Sequence, residues 1–434
     1  MARRSESDAT ALPRLTGVER AVLAVLAAGL LVIPTLYCSG LDVFRLPKEL
    51  AFRAEAVLLL ALAVLWATAR GRTWGVGWRR EFVVAGVVVC WVIVTTIVST
   101  NRLLSLDSLT TVLAAAVIFV ATCVAAQTTS IVAIDVLMVA CCTNAAIVIL
   151  QELNIWSPFS LPPGAGRHYG SVGLLGNAND VGTFLVTPAI AAVVMTVIAS
   201  GARRWIYAGI CVLLVAGIAA SATRTALGAL VAALIVFAAG RSRRSALAAA
   251  GVFLILALAV LSPATLIGRG VRELADAASK RDYERLFSER LLPFLTAVEM
   301  TRDHPLTGVG PGCFKYRYMA YSVALPQRYP KEWMRRWPMN WGEVHNDHLQ
   351  VAAEAGLPGY GLFLSALGVI VWVPRRPAMT ATPEEAFARM LRWPLATAVF
   401  VICLAQFPLE LAAARLMLLT LGALCVTWDQ PARP

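Results

Sequence analysis

Apolar runs close to twenty residues long recur along almost the whole chain, and this repetition limits the possible folds more than any single motif. About twelve such runs stand out, at 18–37, 54–69, 82–99, 109–127, 131–150, 179–199, 205–221, 225–240, 245–262, 348–373, 393–408 and 411–428. A run of that length crosses the hydrocarbon core of a bilayer as a helix. Backbone N–H and C=O groups find no water there, so only helices or closed barrels are stable. A barrel would show alternating segments of about ten residues, which are missing from this sequence. The composition agrees, since 59% of the 434 residues are hydrophobic and 15% charged. The expected fold is an all-α polytopic membrane protein of about twelve transmembrane helices.

Arginine placement sets the expected orientation. With the N-terminus in the cytoplasm, the inside segments carry Arg3, Arg4, Arg14 and Arg20, then Arg70, Arg72, Arg79 and Arg80, and later Arg203 and Arg204, Arg241, Arg243 and Arg244, and Arg375, Arg376, Arg389 and Arg392. This is the positive-inside pattern, with both termini inside. It also accounts for the net charge of +12 without nucleic-acid binding. No leader cleavage pattern is evident, so the first run reads as a retained anchor. Of the nine cysteines only Cys38 and Cys313 fall in connecting segments, which is not a disulfide framework. The expected organisation is a bundle of about nine helices over 1–262, an extracytoplasmic loop domain over 263–344 and about three helices over 345–434. The long loop is rich in aromatics, which disordered tails are not, so a folded cap is expected. Its Arg- and Trp-rich stretch Arg328–Trp341 reads equally well as a sugar-stacking surface and as an interfacial belt.

The polar segment Gly342–Leu349 runs directly into an apolar helix, and ionisable groups at such a boundary point to function. His345 is the first candidate, as a general base able to hold a proton near neutral pH; helix capping or packing is the alternative. His348 lies three residues on, on the same face if both are helical. Asn346 and Asp347 suit helix capping. No metal-ligand spacing is present. Arg224, Arg290 and Arg167 are candidate phosphate ligands, each with a plainer reading: a snorkelling anchor, a solvated helix residue and a flexible glycine loop. The turn Asp303–Phe314 contains Gly308 and Gly310, and free amides in such a turn can bind anions. It lacks the spacing of an ATP phosphate loop.

The order SATRTA, DHPLTGVGPGCF, long loop and HNDHLQVAAEAGLPGYGLF resembles the O-antigen ligase and polymerase superfamily of bacterial membrane glycosyltransferases. GLLGNANDVGTFL and LDVFRLPKEL are also similar to segments of that family. The resemblance covers most of the chain. It implies a GT-C-like helical fold in the bacterial inner membrane with its active site facing the periplasm. It implies metal-independent, inverting transfer from an undecaprenyl-diphosphate-linked glycan, with no cofactor. Carried over residue by residue, Arg224 and Arg290, with Arg167 as a third, would hold the donor diphosphate, and His345 would take the acceptor's proton. The acceptor is lipid A–core for a ligase, a growing glycan for a polymerase and a Ser hydroxyl for a protein O-glycosyltransferase. The ligase is the leading expectation. A secondary transporter is the reading from another class, and there Asp135 is the acid placed well inside a run.

Overall fold

The computed structural model describes residues 16–38, 43–70, 79–160, 171–239, 243–244, 247, 250–251, 253–254, 266–330, 333, 341–372 and 382–428. Among these residues there are helices and no strands. In chain order the helices are α1 (Gly17–Val32), α2 (Arg45–Arg70), α3 (Arg80–Ile97), α4 (Arg102–Ala125), α5 (Ala133–Glu152), α6 (Ala178–Ile198), α7 (Gly201–Ser221) and α8 (Arg224–Ala238). Four shorter ones follow: α9 (Leu266–Ser279), α10 (Tyr283–Leu286), α11 (Leu291–Asp303) and α12 (Phe314–Ala324). The chain then enters α13 (Asp347–Val371), α14 (Pro383–Cys403) and α15 (Ala412–Trp428).

Among the described residues, eight helices are long and apolar enough to cross a membrane, and α8 and α15 are shorter apolar helices. Apart from 245–262, which lies mostly outside the described residues, each expected run has a helix at its place. The result is a multi-pass membrane protein. The arginines expected on the inside and described here, such as Arg203 and Arg389, fall at one end of the bundle. That end is closed by Arg203 on Asp135 at 2.8 Å and by the Ile131 N–H donating to Glu384 at 2.9 Å.

α6 is buried on nearly every side, packed by α5, α7, α8, α14 and α15. Lipid is as apolar as the core, so close packing rather than solvent exclusion holds such helices together. Small residues permit it: a Cβ at Gly182 of α6 would come within 2.5 Å of Thr223, and one at Gly217 of α7 within 2.9 Å of Ala145.

The structure corrects one expectation about acids. Asp135 is in the first turn of α5, held by Arg203 and by the Tyr207 hydroxyl, and so sits at a helix end. The acid placed deeper is Glu55, because α2 begins at Arg45 rather than near residue 54. Glu55 is 5% exposed, and its carboxylate packs on Gly29 of α1 and has no hydrogen-bond partner among the described residues.

Opposite the arginine-rich end, α9–α12 and their turns fold over the bundle. Ala297, Met300, Val309, Cys313, Phe314 and Tyr318 form a small core completed by Ala353 of α13. The turn Asp303–Phe314 is clasped between two helical elements. The Thr100 N–H donates to the Val309 carbonyl at 3.0 Å, and the Ser105 hydroxyl to the Pro311 carbonyl at 2.8 Å. On the other side the N–H groups of Val309 and Gly310 donate to the carbonyls of Ala353 and Glu354 at 2.8 and 3.0 Å. These carbonyls are free because α13 breaks at Gly356, with φ 72 and ψ 178, two residues before Pro358. That backbone conformation belongs almost only to glycine, and a Cβ there would strike the Leu306 carbonyl. Gly356→Ala is expected to cost at least about 2 kcal/mol and lower the thermal melting of the detergent-solubilised protein by several degrees. An unchanged melting curve would refute the clasp.

Candidate active site

The site begins with a helix cap. Asn346 has extended backbone, and its side-chain oxygen accepts from the Leu349 N–H at 3.0 Å, starting α13. Its amide nitrogen donates to the Leu404 carbonyl at 2.7 Å, which ties this start to the end of α14. Asn346 is therefore a scaffold residue of the site.

Immediately before the cap, His345 turns the chain with φ 60, a left-handed conformation that costs a non-glycine residue roughly 1–2 kcal/mol. Its ring lies edge-on between Trp341, 5.2 Å away, and Phe407, 4.5 Å away. Nδ1 stands 3.2 Å from the Glu343 carbonyl. Donation from Nδ1 to that carbonyl leaves the lone pair on Nε2, the tautomer that can accept a proton. Burial pushes the pKa of His345 down to about 3, reinforced by the positive charges of Arg290 and Arg45 and opposed by the Glu343 carbonyl.

Arg290 caps α11 after Ser288 and Glu289, both at positive φ, and donates to the Ala405 carbonyl. Burial draws its pKa down to about 10, against the pull of the Asp180 carboxylate, so it stays charged near neutral pH. Arg45 enters from the first turn of α2. Its guanidinium lies 2.8 Å from Glu343, 3.6 Å from Asp180 and 5.2 Å from the centre of the Phe407 ring. Phe407 thus touches both His345 and Arg45. His345, Arg290, Arg45, Asp180 and Glu343 form one electrostatic cluster at the end of the bundle covered by α9–α12.

The other expected residues are placed differently. Arg224 begins α8 and pairs with Glu273 of α9 at 3.0 Å, with Gly270 backing its guanidinium. Among the described residues no hydrogen bond or ion pair joins it to His345 or Arg290. Arg167 lies outside the described residues. His348 does not share a face with His345, because the helix starts between them. It is buried among Tyr360, Phe363 and Phe400, with Nε2 3.0 Å from the Phe400 carbonyl and Nδ1 3.3 Å from the Tyr360 hydroxyl. The amides in the turn containing Gly308 and Gly310 face the protein itself. Gly308 donates to the His304 carbonyl, Gly310 to Glu354, and the Gly312 and Phe314 N–H groups to the Glu354 carboxylate at 2.8 and 2.9 Å. Both glycines permit close approach: a Cβ at Gly308 would overlap the Glu354 backbone, and one at Gly310 the Ser99 hydroxyl.

Of Arg328–Trp341, the described part splits by function. Arg328 and Tyr329 bind Glu299, Trp333 packs beside Tyr283 and Tyr329, and Trp341 meets His345. Arg45, Asp180 and Glu343 were missed as site residues, although the first two sit in the segments LDVFRLPKEL and GLLGNANDVGTFL. The available signal was a charge in the first turn of an apolar helix, at the same end as His345. No group of His, Cys, Asp and Glu among the described residues converges as a metal site.

Residues 209–364 match a family model described as O-antigen ligase. This is consistent with the O-antigen ligase and polymerase superfamily, and it supports glycan transfer of that type. The matched stretch contains Arg224, Arg290, the Gly308–Gly310 turn and His345–His348. No curated protein matches the chain.

The depressed value at His345 has a defined consequence. Between pH 6.5 and 3 the folded protein binds fewer protons at this group than the unfolded chain does. Its contribution to stability is complete above pH 6.5 and declines as pH falls toward 3. Nitrogen NMR of ¹⁵N-histidine-labelled protein at about pH 5 should show His345 neutral, identified by loss of its signal in His345→Gln. An imidazolium pattern there would refute the assignment.

Proposed function

We propose that the protein is an inverting glycosyltransferase. It moves a glycan from undecaprenyl diphosphate to an acceptor hydroxyl at the outer face of the bacterial inner membrane, and its preferred acceptor is lipid A–core. The carrying observation is the half-buried ring of His345, held between Trp341 and Phe407 with Nδ1 on the Glu343 carbonyl and within the electrostatic reach of Arg290, at the end of the bundle away from the arginine-rich end. The positive-inside rule puts that end outside the cytoplasm.

In this reading His345 Nε2 accepts the proton of the acceptor hydroxyl as its oxygen bonds to the anomeric carbon. The bond from that carbon to the diphosphate breaks, and the leaving group departs with the electron pair. Arg290, fixed in place before the reaction, stabilises the charge that gathers on the diphosphate. Its planar fork fits phosphate oxygens better than an ammonium does. Guanidinium charge fills the role that a metal fills in other transferases, so activity is expected to persist in EDTA. Arg224 would join the donor site if its pairing with Glu273 opens.

The low basicity of His345 fits this scheme once the donor is counted. A diphosphate beside Arg290 offsets one of the charges that hold the imidazole neutral, so donor binding raises the pKa of the base toward the working pH. The enzyme would gain its base only when the leaving group is in place.

The test is transfer by purified protein from an undecaprenyl-diphosphate glycan, in EDTA, offered lipid A–core, a second donor molecule or a peptide. Product on lipid A–core is expected. His345→Ala should reduce turnover by about 10²–10⁴-fold while donor binding survives. Arg290→Lys should lose about 10²-fold. A lengthened donor would instead identify a polymerase using the same groups. Full activity in His345→Ala would remove the proposed base.

A further inference from the structure

Beside His345 a cleft of about 230 Å³ opens between the starts of α2, α6 and α15. Its lining includes Arg45, Asp180, Glu343 and Glu410, with Phe44 and Leu411 as apolar walls. Some lining charges are fully engaged elsewhere. Lys48 donates to the carbonyls of Leu36, Phe44 and Leu174, and Glu49 is held by Arg53, Thr111 and Arg415. Those two fix the walls.

Asp180 is different. It is 3% exposed, lines the cleft, and has as its nearest cation Arg45 at 3.6 Å, an ion-pair distance longer than a hydrogen bond. The charge of Arg290 also acts on this carboxylate. A carboxylate has about four acceptor sites, so one guanidinium leaves room at this cleft-lining group for donors from a ligand or water. The ligand's chemistry follows from the balance of the cleft. Four carboxylates line it, Glu49, Asp180, Glu343 and Glu410, against two cations, Arg45 and Lys48. A diphosphate would meet net repulsion there. A neutral polyol would not, because each hydroxyl can donate to a carboxylate and accept from Arg45, while its C–H faces rest on Phe44 and Leu411. The cavity is of the size of one pyranose ring. It also adjoins the base: Glu343 is two residues from His345, and Phe407 touches both His345 and the Arg45 guanidinium.

We propose that this cleft is the subsite for the terminal sugar of the acceptor glycan, with Asp180, Glu343 and Glu410 receiving its hydroxyl hydrogens. The inference rests on the glycan-transfer reading and adds a division of labour to it. Arg290 marks the anionic, diphosphate side of His345, and the cleft marks the neutral, polyol side. A sugar seated on the carboxylates presents a further hydroxyl to Nε2, so the same residues that select the acceptor also orient it.

The experiment has two arms. In the first, core oligosaccharide released from rough lipopolysaccharide is titrated onto the full chain in lipid nanodiscs, and binding is read by saturation-transfer NMR without turnover. Asp180→Asn and Glu410→Gln should each weaken binding by tenfold or more, and Arg290→Lys should leave it within twofold. Thermal melting reports whether Asp180→Asn is folded, and Glu410→Gln, at an exposed position, carries the test if it is not. In the second arm, steady-state transfer should show a KM for lipid A–core raised at least fivefold in Glu410→Gln with the KM for the donor within twofold. Unchanged oligosaccharide binding in both cleft variants would overturn the subsite, as would a rise confined to the donor KM. Binding that depends on Glu410 in a protein without transfer activity would overturn the transferase reading while the subsite stood.

Discussion

The buried carboxylate of Glu354 is the joint on which the site depends. It lies about two turns into α13 and receives two backbone N–H groups from the turn that ends in Phe314. Hydrogen bonds of this kind are strong where water is excluded, and a carboxyl group left alone there would be costly. The break at Gly356 releases the carbonyls that receive the same turn. Cap and bundle are thereby held in one register. Arg290 follows from this, because α11 runs directly into the clasped turn. So does His345, which lies at the head of the same broken helix.

Electrostatics at the site works by opposition rather than by simple attraction. Arg290 and Arg45 keep His345 neutral, and burial contributes more than either. Asp180 and Glu343 stand among these cations and restrain them, Arg45 most directly. A cluster of two guanidinium groups with two carboxylates is nearly balanced, so it can be held together at a membrane surface without a bound ion. Its balance shifts when an anion arrives on one side, and in the proposed mechanism that shift would couple donor binding to the basicity of the imidazole.

The carboxylates also give the site two unlike halves. Phosphate chemistry is favoured beside Arg290, whereas the cleft between α2, α6 and α15 is lined with hydrogen-bond acceptors. The proposed transfer would use this separation, with the donor recognised through its charge and the acceptor through its hydroxyls. Arg224, tied to Glu273 on the amphipathic α9, stands apart from both halves in this conformation.

The repeated apolar runs determined a multi-pass helical membrane protein, because unpaired backbone groups exclude other solutions in lipid. The segment ahead of α13 pointed to the candidate site, since histidine and carboxylates at a membrane boundary stand out against an apolar background. Asn346 as a cap was legible for the same local reason. What the tertiary structure alone decided was which charges meet. Arg45 and His345 are 300 positions apart in the chain, and no periodicity links them; their shared contact with Phe407 does. His348 looked equivalent to His345 by spacing, yet the helix begins between them and sends one ring into an aromatic core and leaves the other beside Arg290. The Gly308–Gly310 turn looked like an anion loop until its amides were seen to be used by α13. Local sequence fixes the conformations a segment can adopt, but the partners of its polar groups come from distant elements, and those partners decide whether a group is structural or chemical.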